Sequence, residues 1–187
     1  MNIFVLGNTP VESASYAVDA HLNKQVLECF QMLAVAFPDK LPKKSGGFYG
    51  TTHENHPLTK WVCASERNAK FTLCYAAAFA NEHAKRLGSD ISGSYPFEEA
   101  ALLLTGISHQ PDTYPLYVPE YIRQRLIPGD HELGETPRIV DSLDVAVKGY
   151  RLCYVLEKSR NMQKFVWSGK MPDWYAEMCA KIGRVPF

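Results

Sequence analysis

His21, Lys24 and Glu28 follow one another at three and four residues. Each residue of a helix advances about 100°, so this spacing puts imidazole, ammonium and carboxylate on one face. Gln25 lies beside them and Gln31 continues the row. Such a set can do chemistry. Glu28 can act as a general base or steady a developing cation. His21 can move a proton near neutral pH. The plainer alternative is a solvated face, with a Lys24–Glu28 pair contributing about 0.3–0.5 kcal/mol. Spacing leaves both open.

A second cluster runs Asn55-His56-Pro57-Leu58-Thr59-Lys60-Trp61, just after His53 and Glu54. Asn55 fits a helix cap and Pro57 the first turn. The free N–H groups of a helix start suit a phosphate, Lys60 adds charge and Trp61 a stacking surface. The alternative is an ordinary helix start with Trp61 in the core. A third cluster is C-terminal. Lys148, Arg151 and Lys158 share a helix, and Tyr150, Tyr154, Trp167, Trp174 and Tyr175 interleave. Basic residues among aromatics suit bases and phosphates, and equally a packed amphipathic helix. His21, His53, His56 and Glu28 lack the spacing of a zinc site. No metal or cofactor is expected. P-loop, G-x-G-x-x-G and G-x-S-x-G motifs are absent, which removes ATPase, Rossmann oxidoreductase and α/β-hydrolase readings.

The elements that must carry these residues are mainly helical. The apolar run Ile3–Leu6 reads either as a short strand or as a buried extended segment. Ala14, Val18, Leu22, Val26, Phe30 and Leu33 form one stripe, which predicts a helix from about Val11 to Ala36. Residues 38–56 form a loop. A second helix runs from Pro57 to about Leu87, with Gly88 as its cap. A third follows Pro96 to about Leu104, and Tyr121–Leu126 is a short one. Gly129–Pro137 reads as a polar loop. Ser142 caps a helix through about Lys158, and Pro172-Asp173 opens the last. With 187 residues, 46% hydrophobic, and no break in composition, residues 1–187 read as a single helical domain. No apolar run approaches the roughly 20 residues of a membrane span, and the first residues lack the basic start of a signal peptide. A cytoplasmic protein is expected. The five cysteines include no C-x-x-C pair and read as structural thiols. The 20 basic and 20 acidic residues balance, whereas a protein gripping many duplex phosphates usually carries a basic surplus.

At these motifs the chain resembles a group of small phage-encoded proteins, which would place it in the host cytoplasm. The likeness rests on the start Met1-Asn2-Ile3-Phe4-Val5-Leu6 with Thr9-Pro10-Val11, on Asp19, His21, Lys24, Glu28 and Gln31, on Asn55 to Trp61, and on Tyr150-Arg151, Trp167 and Pro172-x-Trp174. It spans most of the chain. A more distant similarity is to pyrimidine-dimer DNA glycosylases of the endonuclease V type, a helical family. Asp19, His21, Leu22 and Glu28 match the spacing of that family's first long helix, and Pro172-x-Trp174-Tyr175 its C-terminal end. The similarity implies a DNA-base site with Glu28 as the main catalytic group, reached by taking a nucleotide out of the stack. Two positions depart from the pattern. The family uses the α-amine of its second residue as nucleophile after loss of Met, and here that residue is Asn2. The family's phosphate-gripping arginines beside the Glu correspond to Leu27 and Gln31.

The expected function is an enzyme acting on pyrimidine bases in DNA, either glycosylase-like or thymine-modifying. Its catalytic residues would be Glu28, His21 and Lys24. Its substrate-binding residues would be Asn55, His56, Lys60, Trp61, Arg151, Trp167 and Trp174, with DNA or a nucleotide as partner. The competing readings are an enzyme on a free nucleotide and a non-catalytic helical accessory module. The module predicts that His21 and Glu28 face open solvent. The sequence assigns no oligomeric state.

Overall fold

The structure is a computed structural model, and it describes residues 1–126, 138–162 and 164–183. The expected loop Gly129–Pro137 lies outside these residues. The chain is mainly helical. Residues 3–6 are almost wholly buried but pair with no strand. Side chains satisfy their backbone instead. Tyr75 donates its hydroxyl to the Phe4 carbonyl (2.9 Å) and Arg151 its Nε to the Leu6 carbonyl (2.8 Å). Of the two readings of this segment, the buried one holds.

Helix α1 (Pro10–Tyr16) starts on Thr9, whose Oγ1 accepts the Glu12 N–H. Helix α2 (Asp19–Ala36) starts afresh after extended Val18. The single helix expected from Val11 to Ala36 is therefore two. The cause is distant in sequence. Arg86 takes carbonyls at the end of α1 and just past it, those of Ala14, Ser15 and Ala17, at 2.9, 2.7 and 2.7 Å. It also holds Asp19 at the start of α2 (3.1 Å). The carbonyls that would continue the helix are thus occupied.

The second expected helix also divides. Helix α3 (Pro57–Cys63) stops, and α4 (Glu66–Leu87) restarts on Ser65, whose Oγ accepts the Asn68 N–H (3.1 Å). Gly88 ends α4 in the left-handed conformation (φ 71°), which glycine adopts without strain. Helix α2 packs on both α4 and α3, and its pairing with α4 is the most extensive among the described elements. Leu22, Val26, Cys29, Phe30, Met32 and Leu33 of α2 are fully buried there. Burying each large apolar side chain contributes about 1.5–3 kcal/mol.

Helix α5 (Phe97–Leu103) leads to strand β1 (Tyr114–Leu116), which pairs antiparallel with β2 (Arg138–Val140) on either side of α6 (Glu120–Leu126). Helix α7 (Leu143–Cys153) begins on Ser142 as expected. It packs so closely on β1 that a Cβ at Gly149 would sit 2.4 Å from Leu116 Cδ1. It continues through a π turn (Tyr154–Lys158) into the short α8 (Ser159–Asn161). Helix α9 (Asp173–Lys181) closes the fold. Among the described residues no helix is long and apolar enough to cross a membrane.

Candidate functional site

Glu28 is 8% exposed. Its Oε2 accepts the backbone N–H of Asn2 (2.9 Å) and the Gln25 Nε2 (3.1 Å). Its Oε1 accepts no hydrogen bond among the described residues. Two cations lie near that oxygen, Lys24 Nζ at 3.8 Å and the Met1 ammonium at 4.0 Å. The carboxylate is therefore fixed by one oxygen and open at the other. The helix face that spacing identified is real, but the first residues of the chain fold over it.

His56 joins this group from the start of α3. It caps the helix itself, in the place expected of Asn55, which is exposed. Its Nδ1 accepts the Leu58 N–H (3.2 Å), which leaves Nε2 to carry the proton of the neutral ring. Burial holds its pKa below the ordinary imidazole value, helped by the Met1 ammonium and His53 and opposed by Glu28. The ring meets Tyr117 edge-on at 5.1 Å, and the Tyr117 carbonyl accepts Asn2 Nδ2 at 3.3 Å.

Asn2 and Tyr117 also line a cleft of about 590 Å³, together with Arg123, Glu157, Lys158 and Asn161. That size accommodates a nucleotide-scale ligand. Asn2, Tyr117 and Arg123 carry no sequence signal. They reach the site only because the N-terminal segment, the stretch after β1 and α6 converge there.

His21 is corrected. It lies two turns before Glu28, about 10.5 Å along the axis, and is 4% exposed. It stacks on Phe4 (4.7 Å, 14°), and its Nδ1 bonds the Tyr154 hydroxyl at 2.5 Å. Burial, reinforced by Lys158 and Lys24, pulls its pKa down to about 3. The ring is thereby held neutral at physiological pH. Neither His21 nor Glu28 faces open solvent.

Trp61 is corrected as a stacking surface. It is 3% exposed, with Nε1 donating to Thr113 Oγ1 (3.3 Å) and its carbonyl accepting Asn68 Nδ2 (2.7 Å). Thr59 is buried and Lys60 exposed beside it. The C-terminal candidates gather elsewhere. Arg151 stacks over Tyr16 (5.3 Å) and Trp174 (4.9 Å), and burial lowers its pKa. Trp167 donates Nε1 to the Tyr16 carbonyl (2.9 Å). Arg151 and Trp174 line a second cleft of about 640 Å³ with Arg86. Arg151 meets the N-terminal segment at Leu6, and Glu28 meets it at Asn2. Sequence groups Arg151, Trp167 and Trp174 with Glu28; the fold holds them at the other end of that segment. Among the described residues no three His, Cys, Asp or Glu side chains cluster as a metal site, and all five cysteines are free thiols.

No family model, no curated protein and no solved structure matches the chain.

Proposed function

We propose that this protein is an enzyme acting on pyrimidine bases in DNA, with Glu28 as its central carboxylate. The observation that carries the reading is a buried Glu28 whose Oε1 accepts no hydrogen bond among the described residues and faces two cations, behind Asn2, which lines a cleft. In a cleaving reaction the bond from C1′ to the base nitrogen breaks and its electron pair leaves with the base. Positive charge then grows at the sugar, where a carboxylate steadies it. An amine adding at C1′ gives up a proton, which Glu28 accepts. The Met1 amine, once its ammonium has released a proton to solvent, stands nearest that role, in place of the residue-2 amine of the glycosylases the chain resembles. In a thymine-modifying reaction on phosphorylated 5-hydroxymethyluracil, the bond from the 5-methylene carbon to the phosphate oxygen breaks, phosphate leaves with the electron pair, and the same carboxylate takes the proton of the incoming nucleophile. His56, whose Nε2–H is uncommitted, donates a hydrogen bond to the reacting base in either case, and solvent supplies or takes the remaining proton.

The test is mass spectrometry of nucleosides from DNA incubated with wild type and with Glu28→Gln. The DNA set includes pyrimidine dimers, 5-hydroxymethyluracil and its phosphorylated form. Wild type is expected to change one of these and Glu28→Gln to leave all unchanged. Borohydride reduction during a cleaving reaction is expected to join the DNA covalently to residue 1. DNA left unaltered by wild type overturns the proposal. Turnover of free nucleotides alone would assign the site to the free-nucleotide reading.

A further inference from the structure

The segment between α2 and α3 holds positive charge that the chain as a whole lacks. Lys40, Lys43 and Lys44 lie between Asp39 and Glu54 with no acidic residue among them. Residues 41–49 form a small hairpin. Tyr49 N–H donates to the Leu41 carbonyl (2.8 Å), Lys43 N–H to Gly47 (2.9 Å) and Gly46 N–H to Lys43 (3.0 Å), with Pro42 bridging Phe48. Gly46 and Gly47 turn the tip at φ 93° and 69°, which side chains rarely allow. The base is anchored. Leu41 is 1% exposed, and Tyr49 stacks on Phe30 of α2 at 6.2 Å.

The tip is therefore held out on a fixed stem. It presents Lys43, Lys44 and Phe48, the last 49% exposed. Lys43 Nζ lies 5.8 Å from the Tyr49 ring. Glu99 lines the shallow groove beside Lys43 and Lys44, but none of the three lysines forms an ion pair among the described residues. Lysines beside an exposed ring are what holds an unpaired strand: the cations take phosphates and the ring takes a base face. His56 is seven positions along the chain from Tyr49, a reach of about 25 Å at most. A strand on the hairpin thus passes within a few nucleotides of Glu28 and His56.

We infer that the 41–49 hairpin grips one unpaired strand of a nucleic-acid substrate, with Lys40, Lys43 and Lys44 on its phosphates and Phe48 stacked on a base. This rests on the proposed function and names how a chain of zero net charge holds its substrate. The test is fluorescence anisotropy with a labelled single-stranded oligonucleotide and the duplex of the same length, across a salt series. Wild type is expected to prefer the single strand. Phe48→Ala should lose fivefold or more in affinity. The Lys40→Gln, Lys43→Gln, Lys44→Gln variant should lower the slope of log affinity against log salt by about 2. Circular dichroism should show an unchanged fold, since these side chains are exposed. Equal binding by wild type and variants overturns the inference and leaves the proposed function standing. Strand binding through the hairpin without any base change overturns the function and leaves the inference. Absent strand binding, or Phe48-dependent binding only to phosphatidylserine–phosphatidylcholine vesicles, overturns the inference in favour of no partner or a lipid surface.

Discussion

Two buried polar groups in this fold are built on opposite plans. Around Arg86 every donor is used. Its Nε meets Glu82 (2.7 Å), and its two Nη atoms meet Asp19 and the carbonyls of Ala14, Ser15 and Ala17. Asp19 in turn accepts the Ser168 N–H (2.7 Å) and the Ser168 hydroxyl. Around Glu28 one oxygen is fully engaged and the other faces only two cations near 4 Å. A saturated network fixes shape, because each partner offsets the burial of the next. A buried carboxylate with a spare oxygen has capacity left for a ligand. Both groups draw on α2, so one helix carries a structural end at Asp19 and, in the proposed function, the reactive position at Glu28.

The contrast can be broken at either group. Arg86→Ala should be the most damaging change, because it strands Asp19 and Glu82 and frees three carbonyls. A loss of about 3–5 kcal/mol is expected, read by chemical denaturation. Glu28→Gln should leave the denaturation midpoint nearly unchanged while lowering turnover about a hundredfold or more. A variant that unfolds as readily as Arg86→Ala would place Glu28 with the structural group.

His21 sharpens the comparison through pH. Its folded pKa of about 3 lies below the ordinary 6.5, so between those values the unfolded chain binds a proton that the folded chain refuses. Its contribution to stability is complete above pH 6.5 and falls by about 1.4 kcal/mol per unit as pH drops toward 3. Denaturation at pH 6 and pH 5 should show that slope in wild type and lose it in His21→Asn. Lys24→Ala is the smallest change. Lys24 is 64% exposed and 3.8 Å from Glu28, so stability should shift by no more than about 0.5 kcal/mol. A larger fall in turnover would give Lys24 a part in the chemistry.

Sequence makes the helices legible wherever a local signal ends them. Gly88 and Ser142 cap as their chemistry implies. The break at Ala17–Val18 is hidden, because the apolar stripe runs through it and Arg86 acts from about seventy residues away. Ser65 is a legible cap inside an expected helix, masked because apolar residues continue on both sides. The β1–β2 pair is hidden behind Pro111, Pro115 and Pro119; Pro115 itself pairs with Ile139. The site divides the same way. Spacing alone puts Glu28 beside Lys24. It carries no hint that Asn2 covers the carboxylate or that His56 comes near enough to feel its charge, because both depend on the tertiary path of the chain.

The π turn from Tyr154 to Lys158 has a consequence for how this protein changes over generations. Such a turn carries one residue more than an α-helix fits into the same rise. Removing one residue within 154–158 would restore the regular spiral while the residues after it kept their places, because the surplus residue is taken up locally. Asn161 would stay at the cleft and α7 would keep its packing on β1, while the side chains of the turn itself, Glu157 and Lys158 among them, would be re-aimed. A single-codon deletion there would refurnish the cleft without disturbing the scaffold around it.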